Sequence, residues 1–379
     1  MTGRTDTTIE RVETWYIRVP LATPIVLGSL RILQRDFVVV RVRTAGGVDG
    51  VAYSLSRGAP LDSVLADVGA PGLLGKDALA TAARTDEMTR AVTHLGPVGL
   101  VGRAISLLEI ALWDIKGQVA GLPVHRLLGG ARESVPVMIV APYALPDEDD
   151  ATYASRLVPH AERGYCAMKL YPLADAGAMA RRLAAVRAAV GPDIGLVVDL
   201  GWMYRTPADA IAAVRQWEAF DLTWVEDPFP SWEPRSMKAL TDAVGTPVAA
   251  GDEVSVPSVM ETLITDRAVD VVRLDATSLG GFAAFGRLAA QAHAAGFQVS
   301  HHAYGEIQQH CVFAWPGVTP VEVFVPGSPT WGTSRFMTHD LDLLPGATEL
   351  PAPTAPGLGL PMDWDAVSAL AMRHLEVGE

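Results

Sequence analysis

The chain is poor in lysine. Of its 30 basic residues only Lys76, Lys116, Lys169 and Lys238 are lysines, and all the others are arginine. Cysteine is scarcer still: Cys166 and Cys311 stand alone in unrelated contexts. Two such thiols exclude a disulfide framework and point to a reducing cytosol. Long apolar runs are missing, since stretches such as Phe37–Val40 are far too short to span a bilayer. The opening MTGRTDTTIERVE has neither a basic n-region nor an apolar h-region, so a cytoplasmic protein without a secretory leader is expected. Excess positive charge is absent as well. A net charge of −13 argues against a nucleic-acid partner and fits a soluble protein.

What is present describes a globular chain. With 379 residues and 49% hydrophobic content, two or three domains fit, or one large barrel with an addition. The stretches RVETWYIRVPL and RDFVVVRVRTAGGVDGVAYS are rich in β-formers, with a turn at Gly46-Gly47. From Leu61 to Gly121 the pattern is helical. RAISLLEIALWDIKGQVAGLP has apolar residues at three- and four-residue spacing and stops at Gly121 and Pro123. Residues 1–130 therefore read as an α+β unit.

From Val135 the style changes. Eight short apolar runs follow: VPVMIVAPY, CAMKLYP, GLVVDL, LTWVEDP, PVAAGDE, VDVVRLDA, FQVSHHA and VEVFVP. Helical patterns such as AGAMARRLAAVRAAVG and PADAIAAVRQWEAF lie between most of them. This alternation implies βαβ units, and about eight of them a (β/α) barrel, assigned to 131–345. The Pro-rich segment 346–379 is expected to return over the surface to the first unit.

Successive runs close on Lys169, Asp199, Glu226, Asp252, Asp275, His302 and Glu322, 20 to 30 residues apart. One such residue per βα unit puts all seven on the ring of strand ends where barrel active sites lie. Asp199, Glu226 and Asp252 would repel one another unless a cation sat among them, and hard oxygen ligands suit Mg²⁺. In LTWVEDPFPSW, Glu226 is expected to face the metal, with Asp227 pointing away to cap the loop at Pro228. In GDE, either Asp252 or Glu253 can be the ligand. Lys169 stands out in an Arg-rich chain, because a lysine can lose its proton where an arginine cannot; the plainer alternative is a lysine salt-bridged to the metal carboxylates. Asp275 can hold the His302 imidazole in one tautomer and raise its basicity.

At these residues the chain resembles the enolase superfamily, in its mandelate racemase branch. AISLLEIALWDIKGQVAGLPVHRLLGG is similar to that branch's linker signature, with Glu109 where Asp is usual. The resemblance implies an α/β fold: a modified (β/α)7β TIM-like barrel with an α+β capping domain. It implies Asp199, Glu226 and Asp252 as Mg²⁺ ligands, Asp275 and His302 as a dyad, and Glu322 as the acid that hydrogen-bonds an enolate. A small-molecule carboxylate substrate and a homo-oligomer, dimer to octamer, belong to the same expectation.

Two departures stand out. The family's second strand usually ends Lys-x-Lys with the second lysine as base, whereas MKLYP gives Lys169-Leu170-Tyr171. Tyr171 then serves as a base only if Lys169 and Mg²⁺ lower its pKa. The metal strand reads Asp199-Leu200-Gly201 where Asp-x-Asn is common. The lactonising and dipeptide-epimerising branches carry a lysine on the sixth strand, and VVRLDATS has none.

The shared chemistry is removal of the proton α to a carboxylate, through an enediolate. A single base, His302 with Asp275, suffices for dehydration of a hydroxy acid or acid sugar to a 2-keto-3-deoxy acid. Racemisation or epimerisation is the alternative, and a barrel kept only for binding is disfavoured because no metal carboxylate is lost. The apolar loop TPIVLGSL, Thr23–Leu30, points to a less polar substrate. Two other signals are set aside: His302, Glu306 and His310 as a zinc site, and Ser278-Leu279-Gly280-Gly281 as a phosphate cradle.

Overall fold

The computed structural model describes residues 5–27, 30–145, 147–325, 328–338, 341 and 349–378. Three long strands open the chain: β1 (Ile9–Leu27), β2 (Leu30–Thr44) and β3 (Asp49–Leu55). The β2–β3 hairpin turns at Gly47, whose φ of 78° is the left-handed conformation that glycine adopts freely. The helix Gly99–Ala120 packs on β3 and buries most of its residues, as its apolar spacing requires. It stops where expected, with Gly121 in the left-handed conformation.

Eight parallel strands follow: β4 (Ser134–Val140), β5 (Ala167–Leu170), β6 (Gly195–Asp199), β7 (Leu222–Glu226), β8 (Val248–Ala250), β9 (Val271–Leu274), β10 (Gln298–His301) and β11 (Val321–Phe324). They pair in the order β10-β9-β8-β7-β6-β5-β4-β11. Val299 bonds to Gly317 and Thr319, just before β11, and so brings the two ends together. The result is a nearly closed barrel with helices outside. Several of those helices start on side-chain caps readable in the sequence: Asp149 accepts from Thr152 N, Asp175 from Ala178 N, and Thr206 from Asp209 N.

The tail does more than cross the surface. After residues 342–348, which lie outside the description together with the expected division at 345, β12 (Glu349–Pro351) pairs antiparallel with β4. Leu358 N then donates to Asp114 at 2.8 Å. The last strand, β13 (Ala371–Gly378), joins the cap sheet beside β1, in the order β13-β1-β2-β3. The proline-rich look of the segment concealed that strand.

Candidate active site

Strand alternation builds the site in two layers. Inside the barrel, Met138, Ala167, Val197, Trp224, Ala249 and Val271 form a small buried apolar cluster. Two residues further along four of these strands stand Lys169, Asp199, Glu226 and Arg273, while Glu322 enters from β11 and Asp252 from the turn after β8. The polar layer therefore rests on a dry plug, at the C-terminal mouth. The backbone there is strained: Trp202, Asp227, Glu253, Ala303 and Tyr304, all near strand ends, have positive φ. Such strain gathers at sites where side chains must be aimed.

Asp199, Glu226 and Asp252 offer oxygens within 4.8 Å of one another. Gly251, with φ 134°, lets the chain turn into Asp252, since a Cβ there would collide with the Arg273 carbonyl. The neighbouring Glu253 turns the other way, to Arg57 of the cap and to Arg103, whose Nη2 lies 2.8 Å from it. Asp252 is thus the one that joins the cluster. Asp227 departs from expectation. It does not point away to cap Pro228 but is buried, lines the cavity and accepts from Gly251 N at 3.0 Å, fixing the turn that delivers Asp252.

Two cations sit among these acids. Lys169 Nζ is 2.8 Å from Glu226, 2.9 Å from Glu322 and 3.7 Å from Asp199. Arg273 reaches Asp252 at 2.9 Å, Glu322 at 2.9 Å and Glu226 at 3.1 Å. Burial opposes the Lys169 charge, but Glu226 and Glu322 more than reverse this and raise its pKa well above the ordinary value. Lys169 is therefore the salt-bridged lysine and does not lose its proton readily. Burial, with only partial relief from Arg273 and Lys169, pushes Glu226 up to about 8. Carboxyl groups (Asp199, Glu226, Asp252, Glu322) outnumber these two cations in a buried site, an imbalance that a divalent cation relieves, and an all-oxygen donor set suits a hard ion. The residues fit a metal of the Mg²⁺ kind.

Beside this cluster, His302 Nδ1 lies 3.1 Å from Asp275 Oδ2. Asp275 Oδ1 accepts from Thr277 N, Thr277 Oγ1 and Gln308 Nε2, at 2.7 to 2.8 Å, so the carboxylate cannot swing. Burial pulls His302 down, yet Asp252 and then Asp275 push it up to about 9. His301 is a different residue altogether. Its ring nitrogens serve Ala303 O and Glu322 N, and burial lowers it to about 4. Glu322 accepts from Ala303 N at 2.8 Å. Burial would raise it, but Arg273 and Lys169 hold it down to about 2. In this arrangement Glu322 is an acceptor between the two cations.

Tyr171 lines the same cavity. Its ring stacks on Tyr143 at 4.2 Å. Burial, together with Tyr143 and Asp199, raises its pKa well above the ordinary phenol value. The supposed zinc set is dispersed: His310 bonds to His125 N and Leu358 O, and Glu306 to the Tyr53 hydroxyl. The supposed phosphate cradle is filled from within. Glu109 accepts from Phe282 N and Ala283 N, taking the anion position at that helix start. Of the loop Thr23–Leu30, Gly28 and Ser29 and most side chains lie outside the described residues.

A cavity of about 460 Å³ lies between cap and barrel. Asp199, Asp252 and His302 face it from the barrel, Arg35 and Arg57 from the cap. The sequence reading missed Arg273 and Arg35. A charged residue inside the buried run VVRL was the available signal for the first; Arg35, at the polar start of a long strand, gave none.

A barrel whose mouth joins a three-carboxylate cluster able to hold a metal ion to a His–Asp dyad has the parts of a metal-assisted acid–base enzyme. Residues 152–366 match the family described as enolase C-terminal domain-like, and residues 10–129 the mandelate racemase / muconate lactonizing enzyme N-terminal domain. The chain belongs to the enolase superfamily, in the mandelate racemase branch. It is 30% identical to an L-talarate/galactarate dehydratase of Salmonella typhimurium over 323 residues, 83% of this chain and 81% of that protein. A 3,6-anhydro-alpha-L-galactonate cycloisomerase of Streptomyces coelicolor is 27% identical over 371 residues, 96% and 99% of the two chains. An L-talarate dehydratase from Polaromonas sp., solved with Mg and L-glucarate, superposes with a TM-score of 0.87 at 27% identity, covering 98% and 99%.

Proposed function

We propose that this enzyme removes the proton α to a carboxylate with His302 as its one base, in a Mg²⁺-dependent dehydration of a hydroxy acid or acid sugar to a 2-keto-3-deoxy acid. Asp199, Glu226 and Asp252 are the metal ligands. Mg²⁺ bound there would supply electrophilic stabilisation of the negative charge that grows on the substrate carboxylate. Asp275 holds Nδ1–H of His302, so Nε2 takes the α-proton. The C–O bond at the β-carbon then breaks, and the proton on His302 leaves with the hydroxyl as water. The resulting enol tautomerises to the 2-keto acid.

One observation carries the choice of dehydration: among the described residues, His302 on Asp275 is the one base oriented toward the cavity by a carboxylate. Lys169 is tied to Glu226 and Glu322, and Tyr171 is kept protonated against Tyr143. A racemase or epimerase would need a second base on the opposite face. Cycloisomerases are among the relatives, but the inward cation of β9 is Arg273, fixed by three carboxylates, and not the lysine of the lactonising branch. The dehydratase names among the relatives support the same choice.

The proposal assigns residues 1–130 to the cap, 131–345 to the barrel and 346–379 to a tail that returns to the cap. It places the enzyme in the cytoplasm as a homo-oligomer, dimer to octamer, with small carboxylates and not nucleic acid as partners. The free thiols Cys166 and Cys311 and the net charge of −13 support this, and among the described residues no helix is long and apolar enough to cross a membrane. The test is a library of acid sugars incubated with enzyme and Mg²⁺ and read by 2-keto acid formation. A library-wide absence of product, with metal bound, would overturn the dehydratase assignment.

A further inference from the structure

Arg35 stands on the cap side of the same cavity and is only 6% exposed. Its Nε donates to the Thr330 carbonyl at 3.1 Å and its Nη2 to the Tyr143 hydroxyl at 3.3 Å. Its guanidinium carbon lies 5.9 Å from the Trp331 ring centre. All three partners are neutral. Among the described residues no carboxylate forms an ion pair with Arg35. Asp36, its chain neighbour, is paired instead with Arg18 at 2.8 Å.

Each of the other cations of the cavity touches at least one carboxylate, with Glu253 shared between Arg57 and Arg103. Lys169 is held by Glu226 and Glu322, Arg57 by Glu253, and His302 by Asp275. Among the described residues, Arg35 is the cation of this cavity without a carboxylate partner, a buried charge that is costly unless an anion meets it. A guanidinium cannot shed its proton to escape that cost. The cavity therefore has two electrostatically incomplete ends: excess negative charge at Asp199, Glu226 and Asp252, and excess positive charge at Arg35.

We propose that Arg35 binds a second carboxylate of the substrate, remote from the metal end, so that the preferred substrate is a dicarboxylic hydroxy acid. This rests on the reading that the first carboxylate docks at the metal site. A singly charged carboxylate matches one guanidinium and its planar donor fork. A phosphate, carrying nearly two charges, would call for a second cation without a carboxylate contact, and Arg57 is in contact with the Glu253 it shares with Arg103. The volume of about 460 Å³ lies within the ordinary range for small-molecule sites and leaves room for a chain reaching from one end to the other.

The experiment compares a six-carbon aldaric acid with the aldonic acid of the same configuration, in the Mg²⁺-loaded enzyme and in Arg35→Gln. Affinity is measured by calorimetry, and α-proton exchange in D₂O by NMR. The wild-type enzyme should prefer the diacid by roughly ten- to a hundredfold, the range for a charged hydrogen-bonded pair. Arg35→Gln should collapse that ratio to within a few-fold, chiefly through affinity, and Arg35→Lys should restore part of it. Loss of packing against Trp331 would weaken both acids alike, so a ratio unchanged by Arg35→Gln overturns the proposal. A wild-type enzyme that binds both acids equally overturns it too. Failure of the underlying reading looks different: the diacid would bind preferentially while no acid exchanged its α-proton.

Discussion

Asp275 Oδ2 and His302 Nδ1 lie 3.1 Å apart, and the other oxygen of Asp275 is locked by Thr277 and Gln308. The neutral imidazole is thus held in one tautomer, with Nε2 as the unprotonated nitrogen. Replacing Asp275 by Asn should lower turnover on the order of a hundredfold, the scale of a positioned acid–base group. The pH profile gives the sign. Burial lowers the His302 pKa, but Asp252 and Asp275 raise it to about 9. A base must be unprotonated to act, so losing Asp275 should move the acid limb of kcat/KM to lower pH. A limb that stays in place would show that Asp275 does not tune His302.

Metal dependence separates two neighbouring acids. Chelation by EDTA should abolish activity and added Mg²⁺ restore it. Asp252→Asn should lose metal affinity, measured by calorimetry. Glu253→Gln should keep it, because Glu253 serves Arg57 and Arg103 instead. Reversed results for the two variants would move the third ligand by one residue.

Arg273 touches three carboxylates from a fully buried position. Arg273→Met leaves buried acids without their partner, which costs about 3–5 kcal/mol in comparable cases. Urea unfolding should show that loss, and saturating Mg²⁺ should recover part of it by binding only the folded chain. Equal stability of variant and parent in chelator would contradict the charge balance described above.

Much of this was legible in the sequence. The eight apolar runs are the eight barrel strands, and their terminal polar residues share one mouth, because one residue per βα unit is a geometric constraint that survives translation into numbers. Asp199, Glu226 and Asp252 cluster as their spacing demands. Direction beyond the strand end is what the sequence hides. Asp227 turns inward through a positive φ, which alternation does not foresee. Tyr171 follows β5 and leans on Tyr143, a contact set by a neighbouring strand. The cap strand β13 hid in a segment whose prolines all precede it.

Glu109 gives a stability signature away from the site. Burial raises it to about 7, against the pull of its bonds from Phe282, Ala283 and Trp113. Its ordinary value is 4.5, so the folded chain holds the extra proton between these limits. The stabilising contribution is therefore full at low pH and falls as pH rises towards 7, by on the order of 3 kcal/mol. Urea midpoints at pH 5 and pH 7.5 should differ less in Glu109→Gln than in the parent. An identical difference would place the pH dependence elsewhere.

The central claim is that one base acts, and hydrogen exchange measures it most directly. Each stereoisomer of a turned-over acid is incubated in D₂O with Mg²⁺ and His302→Asn, and the α-position is followed by NMR. With Lys169 in ion pairs and Tyr171 protonated, the account predicts no exchange with either stereoisomer while metal still binds. Exchange of one stereoisomer, lost again on adding Tyr171→Phe, would reveal a second base and contradict it.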